Sequence, residues 1–167
     1  MGWRILLGLL PVFSLFGAGD TPLDRSTLRG LKSFSVVVDR LDPELEGAGV
    51  TRDNLQARLT RRMETADITV DAKAPEFLGL RLMHVRRRRG PYAVCLTLAV
   101  YQPVTLVRDR QVKTATQTWE LQTVLITDPK GLTDAIIRAT DELLDGFVTA
   151  YRSTTPAGAA TETAPSK

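Results

Sequence analysis

Apolar and polar residues alternate through Phe34, Val36 and Val38, with Ser33, Ser35 and Asp39 between them. A period of two sends the two sets to opposite faces of a β-strand, here covering residues 31–39. Residues 41–49, with Pro43 and two glycines, read as a loop. The period then lengthens. Leu55, Leu59, Met63 and Ala66 recur at helical spacing behind Thr51, a good N-cap, and Val50, which can staple onto Leu55. Arg52, Arg58, Arg61 and Arg62 fall mostly off that stripe, which is the pattern of a core-facing helix rather than a cofactor box.

Four more strands follow. Residues 68–70 form a short one, and a turn holding Pro75 leads into residues 77–85, where Leu78, Leu80 and Leu82 share a face. Across the run Arg86-Arg87-Arg88-Arg89, the residues Tyr92, Val94, Leu96, Leu98 and Val100 alternate with small ones, so this pair reads as a β-hairpin. Pro103 marks an edge, a bulge or a bend, after which residues 104–107 continue the strand. Arg108-Asp109-Arg110 suggests another turn, and the threonine-rich residues 114–126, with Trp119, Leu121, Val124 and Leu125, form the last strand. A closing helix is capped by Asp128 with Pro129 in its first position. Its apolar face runs through Leu132, Ile136, Ala139, Leu143, Phe147 and Ala150, widened by Ile137, Leu144, Val148 and Tyr151.

The order β-α-β-β-β-β-α predicts an α+β fold: a two-layer sandwich with a mostly antiparallel sheet and both helices on one face. Among 167 residues, 43% are hydrophobic and 25% charged, which suits a single domain, placed at residues 31–152. Residues 20–30 read as a flexible lead-in and residues 153–167 as a disordered tail.

The first 19 residues change the compartment. Arg4 precedes an apolar run from Ile5 to Phe16, and Gly17-Ala18-Gly19 supplies small residues before Asp20, the order of a secretory signal peptide. The run falls short of the roughly 20 residues a membrane-spanning helix needs, and Pro11 interrupts it as a buried helix. Export to an extracytoplasmic space, periplasmic or secreted, is therefore expected, with no transmembrane span in the mature chain. Cys95 is the only cysteine, which rules out an intramolecular disulfide and leaves no lipid-anchor cysteine at the leader's exit.

Inventory removes most chemistry. One histidine and one cysteine exclude zinc sites built from several such ligands, and no glycine-rich phosphate loop joins a strand to a helix. No metal and no cofactor is expected. His84 could serve a hydrolase-like enzyme only with an acid brought near by the fold; a partly buried strand-end histidine is the plainer reading. Asp141, Glu142 and Asp145 read as a solvated helix face. The acidic stretch from Asp39 to Glu46 lacks the calcium-loop pattern.

Two surfaces remain as candidates. Ala93, Cys95, Thr97, Ala99 and Tyr101 lie opposite the leucine face and would form a flat partner-docking face, or a merely solvated one screened by the lead-in and tail. The residues Arg86, Arg87, Arg88 and Arg89 could converge on a phosphate or carboxylate only within a turn, which Gly90-Pro91 makes feasible; the alternative is a solvated hairpin tip that guards against edge-to-edge pairing. Aromatics for base stacking are missing around the run apart from Tyr92, and a net charge of +3 does not imply nucleic acid.

Leu28-Arg29-Gly30-Leu31, Gly49-Val50-Thr51, the strand from Tyr92 to Val104 ending in Tyr-Gln-Pro-Val, Ala115 to Trp119, and Asp145 to Tyr151 resemble a group of small exported bacterial proteins of mostly unassigned function. The topology is also similar to that of the lipopolysaccharide-assembly lipoprotein and other envelope transport accessory proteins, although the anchor cysteine is missing. Fold analogy does not establish function, and with no catalytic constellation in the inventory the expected role is a non-enzymatic exported binding or assembly module of the envelope, which contacts an envelope protein or an anionic lipid or glycan through its outer sheet face or basic hairpin.

Overall fold

The computed structural model describes residues 19–86, 88 and 90–154. The predicted signal peptide, apart from Gly19, and the predicted tail from residue 155 onward lie outside the described residues. The elements are α1 (Pro22–Ser26), β1 (Ser33–Val38), α2 (Pro43–Gly47), α3 (Arg52–Thr65), β2 (Thr69–Val70), β3 (Phe77–Arg86), β4 (Tyr92–Leu106), β5 (Asp109–Thr127) and α4 (Leu132–Thr154). The fold is the expected α+β sandwich, with a five-stranded sheet in the order β2-β1-β3-β4-β5.

The three long strands β3, β4 and β5 form an antiparallel meander, whereas β1 runs parallel to both its neighbours. Helix α3 carries the chain back to the starting edge between β1 and β2, and such a crossover yields parallel strands. Alternation assigns the faces. Phe34, Val36 and Val38 of β1, Leu78, Leu80 and Leu82 of β3, and Tyr92 to Val100 at even numbers in β4 are buried beneath the helices. Leu55, Leu59 and Met63 of α3 and Leu132, Ile136, Leu143 and Phe147 of α4 close the core from the other side.

Phe147 is its aromatic hub: its ring centroid lies 5.5 Å from that of Phe34 and 5.4 Å from that of Trp119, both edge-on. Burying each such ring contributes about 1.5–3 kcal/mol, with a further ~0.5–1.5 kcal/mol for a well-oriented aromatic pair. Gly146 lets α4 approach β5 this closely, because a Cβ there would overlap the Leu121 side chain.

Four local expectations are corrected. Residues 20–30 are not a loose lead-in. Thr21 and Asp24 form a capping box on α1, Leu28 is fully buried, and Asp20 accepts hydrogen bonds from Trp119 Nε1 (2.8 Å) and from Arg25, so the folded body begins before Leu31. The loop at 41–49 contains α2, capped by Asp42 and pinned by the fully buried Leu45, and Gly49 takes the positive φ that turns the chain into Thr51. Asp128 caps a turn through the N–H groups of Lys130 and Gly131, so α4 starts at Leu132. Asp141 and Asp145 are not simply solvated: they pair with Arg58 (2.6 Å) and Arg62 (2.5 Å) and stitch α4 to α3.

Pro103 sits inside one continuous strand. The β3 pairing of β4 ends at Tyr101, so at Pro103 only β5 runs alongside and a missing N–H costs little there. From Gln102 to Gln117 the β4–β5 pair projects as a two-stranded arm beyond the rest of the sheet.

Candidate functional site

The face of β3–β4–β5 turned away from the helices is built in cross-strand rows. Val85, Ala93 and Ile126 form the row nearest the β3–β4 turn; Met83, Cys95 and Val124 form the next; Arg81, Thr97 and Gln122 follow. In the first two rows the large side chains stand in water: Met83 is 55% exposed, Val85 74%, Val124 66% and Ile126 75%. Side chains opposite one another on neighbouring strands lie about 4.5–5.5 Å apart at Cβ, so these four, with Ala93 and Cys95 between them, make one contiguous apolar patch. Single exposed apolar residues need no explanation, but a contiguous block of them does.

The five residues expected on this face occupy it unequally. Ala93 and Cys95 lie inside the patch. Thr97 belongs to the polar row below, where Gln122 Nε2 donates to Cys95 Sγ at 3.0 Å and Thr97 Oγ1 at 3.4 Å. Ala99 is only 1% exposed, so it is closed to a partner. Tyr101 is engaged within the protein: its ring stacks on Phe77 at 4.6 Å and its hydroxyl donates to Gln117. The strongest apolar contributors on this face were missed. Met83 and Val85 alternate against Leu78, Leu80 and Leu82, and Val124 and Ile126 alternate against Leu121 and Leu125; that parity was the available signal.

At the same end, the helix-side face holds a polar cluster. Glu44, delivered by α2, accepts from Tyr92 Oη (2.6 Å) and Arg86 Nη1 (2.7 Å) and lies 3.3 Å from His84 Nε2. Arg86 also donates to Tyr92 Oη and sets its guanidinium 4.6 Å from the Tyr92 ring centre. These hydrogen bonds, with Tyr92 the largest influence, lower the Glu44 pKa to about 2. The same carboxylate raises the Tyr92 phenol.

The arginine run is thus divided. Arg86 belongs to β3 and to the Glu44 cluster, Arg88 lies exposed in the turn, and Arg87 and Arg89 lie outside the described residues. The acid beside His84 is Glu44. Shallow depressions run along α3, one lined by Asp53, Gln56, Thr60 and Glu64 and one by Asn54, Arg58 and Asp141, and neither is lined by His84. Among the described residues no group of three or more His, Cys, Asp or Glu side chains could hold a metal ion, and no helix is long and apolar enough to cross a membrane.

No family model matches the sequence, and no curated protein matches it. Among solved structures, a minor lipoprotein from Acinetobacter baumannii is similar at a TM-score of 0.28 and 11% identity, over 71% of this chain and 87% of that one. A likeness this distant carries no argument about function.

Proposed function

We propose that the protein is an exported, non-enzymatic binding module of the bacterial cell envelope that docks through the outer face of β3–β4–β5. The observation that carries this reading is the pair of exposed apolar rows, Val85–Ala93–Ile126 and Met83–Cys95–Val124. A fold that buries Leu78, Leu96, Leu98, Phe34, Phe147 and Trp119 almost completely yet leaves these four large side chains in water has kept an apolar surface for contact. Export is supported by the order of the first 19 residues: a basic start, a short apolar run and a small-residue exit.

The test is a photo-reactive side chain placed at Val124 on the outer face, or at Gln56 on α3, in the native cell. Envelope-dependent cross-links from the Val124 position alone are expected. Equal labelling from both positions, or none from Val124, would overturn the reading.

A second reading is favoured by one contact, His84 to Glu44 at 3.3 Å: a small extracytoplasmic hydrolase-like enzyme with the imidazole as base. It requires turnover that disappears in His84→Asn.

A further inference from the structure

The five-stranded sheet has two edges, and they are finished differently. At one, β2 is only two residues long, too short to template another strand. At the other, β5 runs for 19 residues and pairs with β4 alone. Its first half carries Arg110 and Lys113, and charge on an edge opposes further pairing. Its second half has no such guard: residues 121–127 read Leu-Gln-Thr-Val-Leu-Ile-Thr, without charge, proline or glycine.

One bond sets the outward direction of this stretch. The Glu120 N–H points away from β4 and donates to Gly19 O at 3.1 Å, so a backbone carbonyl already reaches this edge. Backbone groups alternate along an antiparallel strand, which turns the N–H and C=O of Gln122, Val124 and Ile126 the same way. Among the described residues, no backbone group pairs with these three on that side.

Both faces beside the edge are apolar. Leu121 and Leu125 are half-buried on the helix side and packed against the core, while Val124 and Ile126 stand exposed on the outer side. A chain laid along this edge would pair its backbone and bury side chains on both of its faces, as a central strand does. It would also lengthen the Met83–Cys95–Val124 and Val85–Ala93–Ile126 rows by one residue each.

Resting on the docking role of this side of the sheet, we propose that the partner contributes an extended polypeptide segment, which adds as a sixth strand along residues 121–127 of β5 with apolar side chains toward both faces. Lipid is a poor occupant, because unpaired N–H and C=O groups find no hydrogen-bonding partner in hydrocarbon. A second copy is disfavoured by charge. A two-fold axis at Val124 pairs all three outward residues with their copies, and it sets Glu120 opposite the second copy's Asp128.

The probe is a library of random peptides displayed on phage and selected on the purified protein. Binders with a proline-free run of about seven apolar or β-branched residues are expected. One binder is then synthesised in two N-methylated forms, each blocking the amides of one of its edges. One form should bind and the other should not, because a single edge faces β5. The bound peptide should slow hydrogen exchange at the amides of Gln122, Val124 and Ile126 and leave Thr123 and Leu125, already turned toward β4, unchanged. Val124→Pro deletes an outward N–H that β4 does not use and should weaken the peptide about tenfold or more. Val124→Thr keeps the N–H and the branched shape and should stay within about threefold of the parent. Should Val124→Pro fail to fold, the N-methylated pair decides without any change to the protein.

No binder, binding by both N-methylated forms or by neither, or exchange that stays fast at all three amides would overturn the proposal. So would concentration-dependent dimerisation that Val124→Pro dissolves, which would assign the edge to a second copy. If no peptide binds while the Val124 cross-linker still captures an envelope protein, the docking reading stands and the added strand falls. If peptides bind as described while Val124 captures nothing in the cell, the added strand stands and the envelope role falls.

Discussion

The two hairpins of the meander both carry basic tips, yet they are built differently. The β3–β4 hairpin, with arginines from 86 to 89, is supported on its helix side by Tyr92, Arg86 and Glu44 and bears the apolar rows on its outer side. The β4–β5 arm, with Arg108, Arg110 and Lys113 near its tip, reaches past β3, and its β5 residues from Asp109 to Gln117 are all exposed. Charge is common to the two; a supported apolar surface beside the charge belongs to one of them. Positive charge on a loop is ordinary solubility, whereas the same charge bordering exposed Val, Met and Ile is an amphipathic edge.

The largest expected effect separates the two faces of the supported hairpin. Leu96→Ala, beneath the helices, should lower unfolding free energy by about 2–5 kcal/mol in a denaturant titration, as truncation of a buried leucine does. Val124→Ser, on the outer face of the neighbouring strand, should stay within about 0.5 kcal/mol of the parent, because the group it removes already stands in water. Similar losses at both positions would mean that the outer face is covered within the monomer.

Next in size is the Glu44 cluster. Its folded pKa of about 2 lies below the ordinary carboxylate value of 4.5, so it adds stability above that ordinary value and loses it as pH falls toward 2. Glu44→Gln should therefore lower Tm at pH 7, and the gap from the parent should narrow between pH 4.5 and 2. A gap independent of pH would show that the carboxylate charge is not what holds Arg86 and Tyr92.

The smallest effect is expected at the arm. Replacing residues 103–115 with an Asn-Gly turn keeps Gln102, whose amide bonds Thr27 O and Thr118 Oγ1, and should leave the fold intact with stability within about 1 kcal/mol, since a two-stranded ribbon contributes little by itself. It should also leave cross-linking from the Val124 position unchanged. Lost binding would move the interaction to the arm and erase the contrast between the hairpins.

Periodicity made most of the fold legible. Leu55, Leu59 and Met63, and the even-numbered residues of β4, announce which side faces the core, and the structure buries them. What periodicity could not show was pairing direction: a two-residue strand such as Thr69–Val70 gives no sign that β1 inserts between β2 and β3. The lead-in was misjudged because Asp20 and Thr21 look solvated in isolation. Asp20 is held by Trp119, about a hundred residues away, and Thr21 by its capping box with Asp24. The candidate site was half legible. Small residues at Ala93 and Cys95 mark the open face, while in the last strand apolar residues stand at both parities, Leu121 and Leu125 against Val124 and Ile126, so alternation there does not by itself say which set faces outward.

The place of β1 has a kinetic consequence. The meander that follows it can zip up from neighbouring segments, but β1 finds its slot only after α3 has looped back and both flanking strands are available, and such long-range pairing is intrinsically slow. Until α3 and α4 settle on it, the meander has apolar side chains on both surfaces, Leu96 and Leu98 on one and Val124 and Ile126 on the other. An apolar surface left open in the finished molecule thus lengthens the interval in which the nascent one can stick to its own kind.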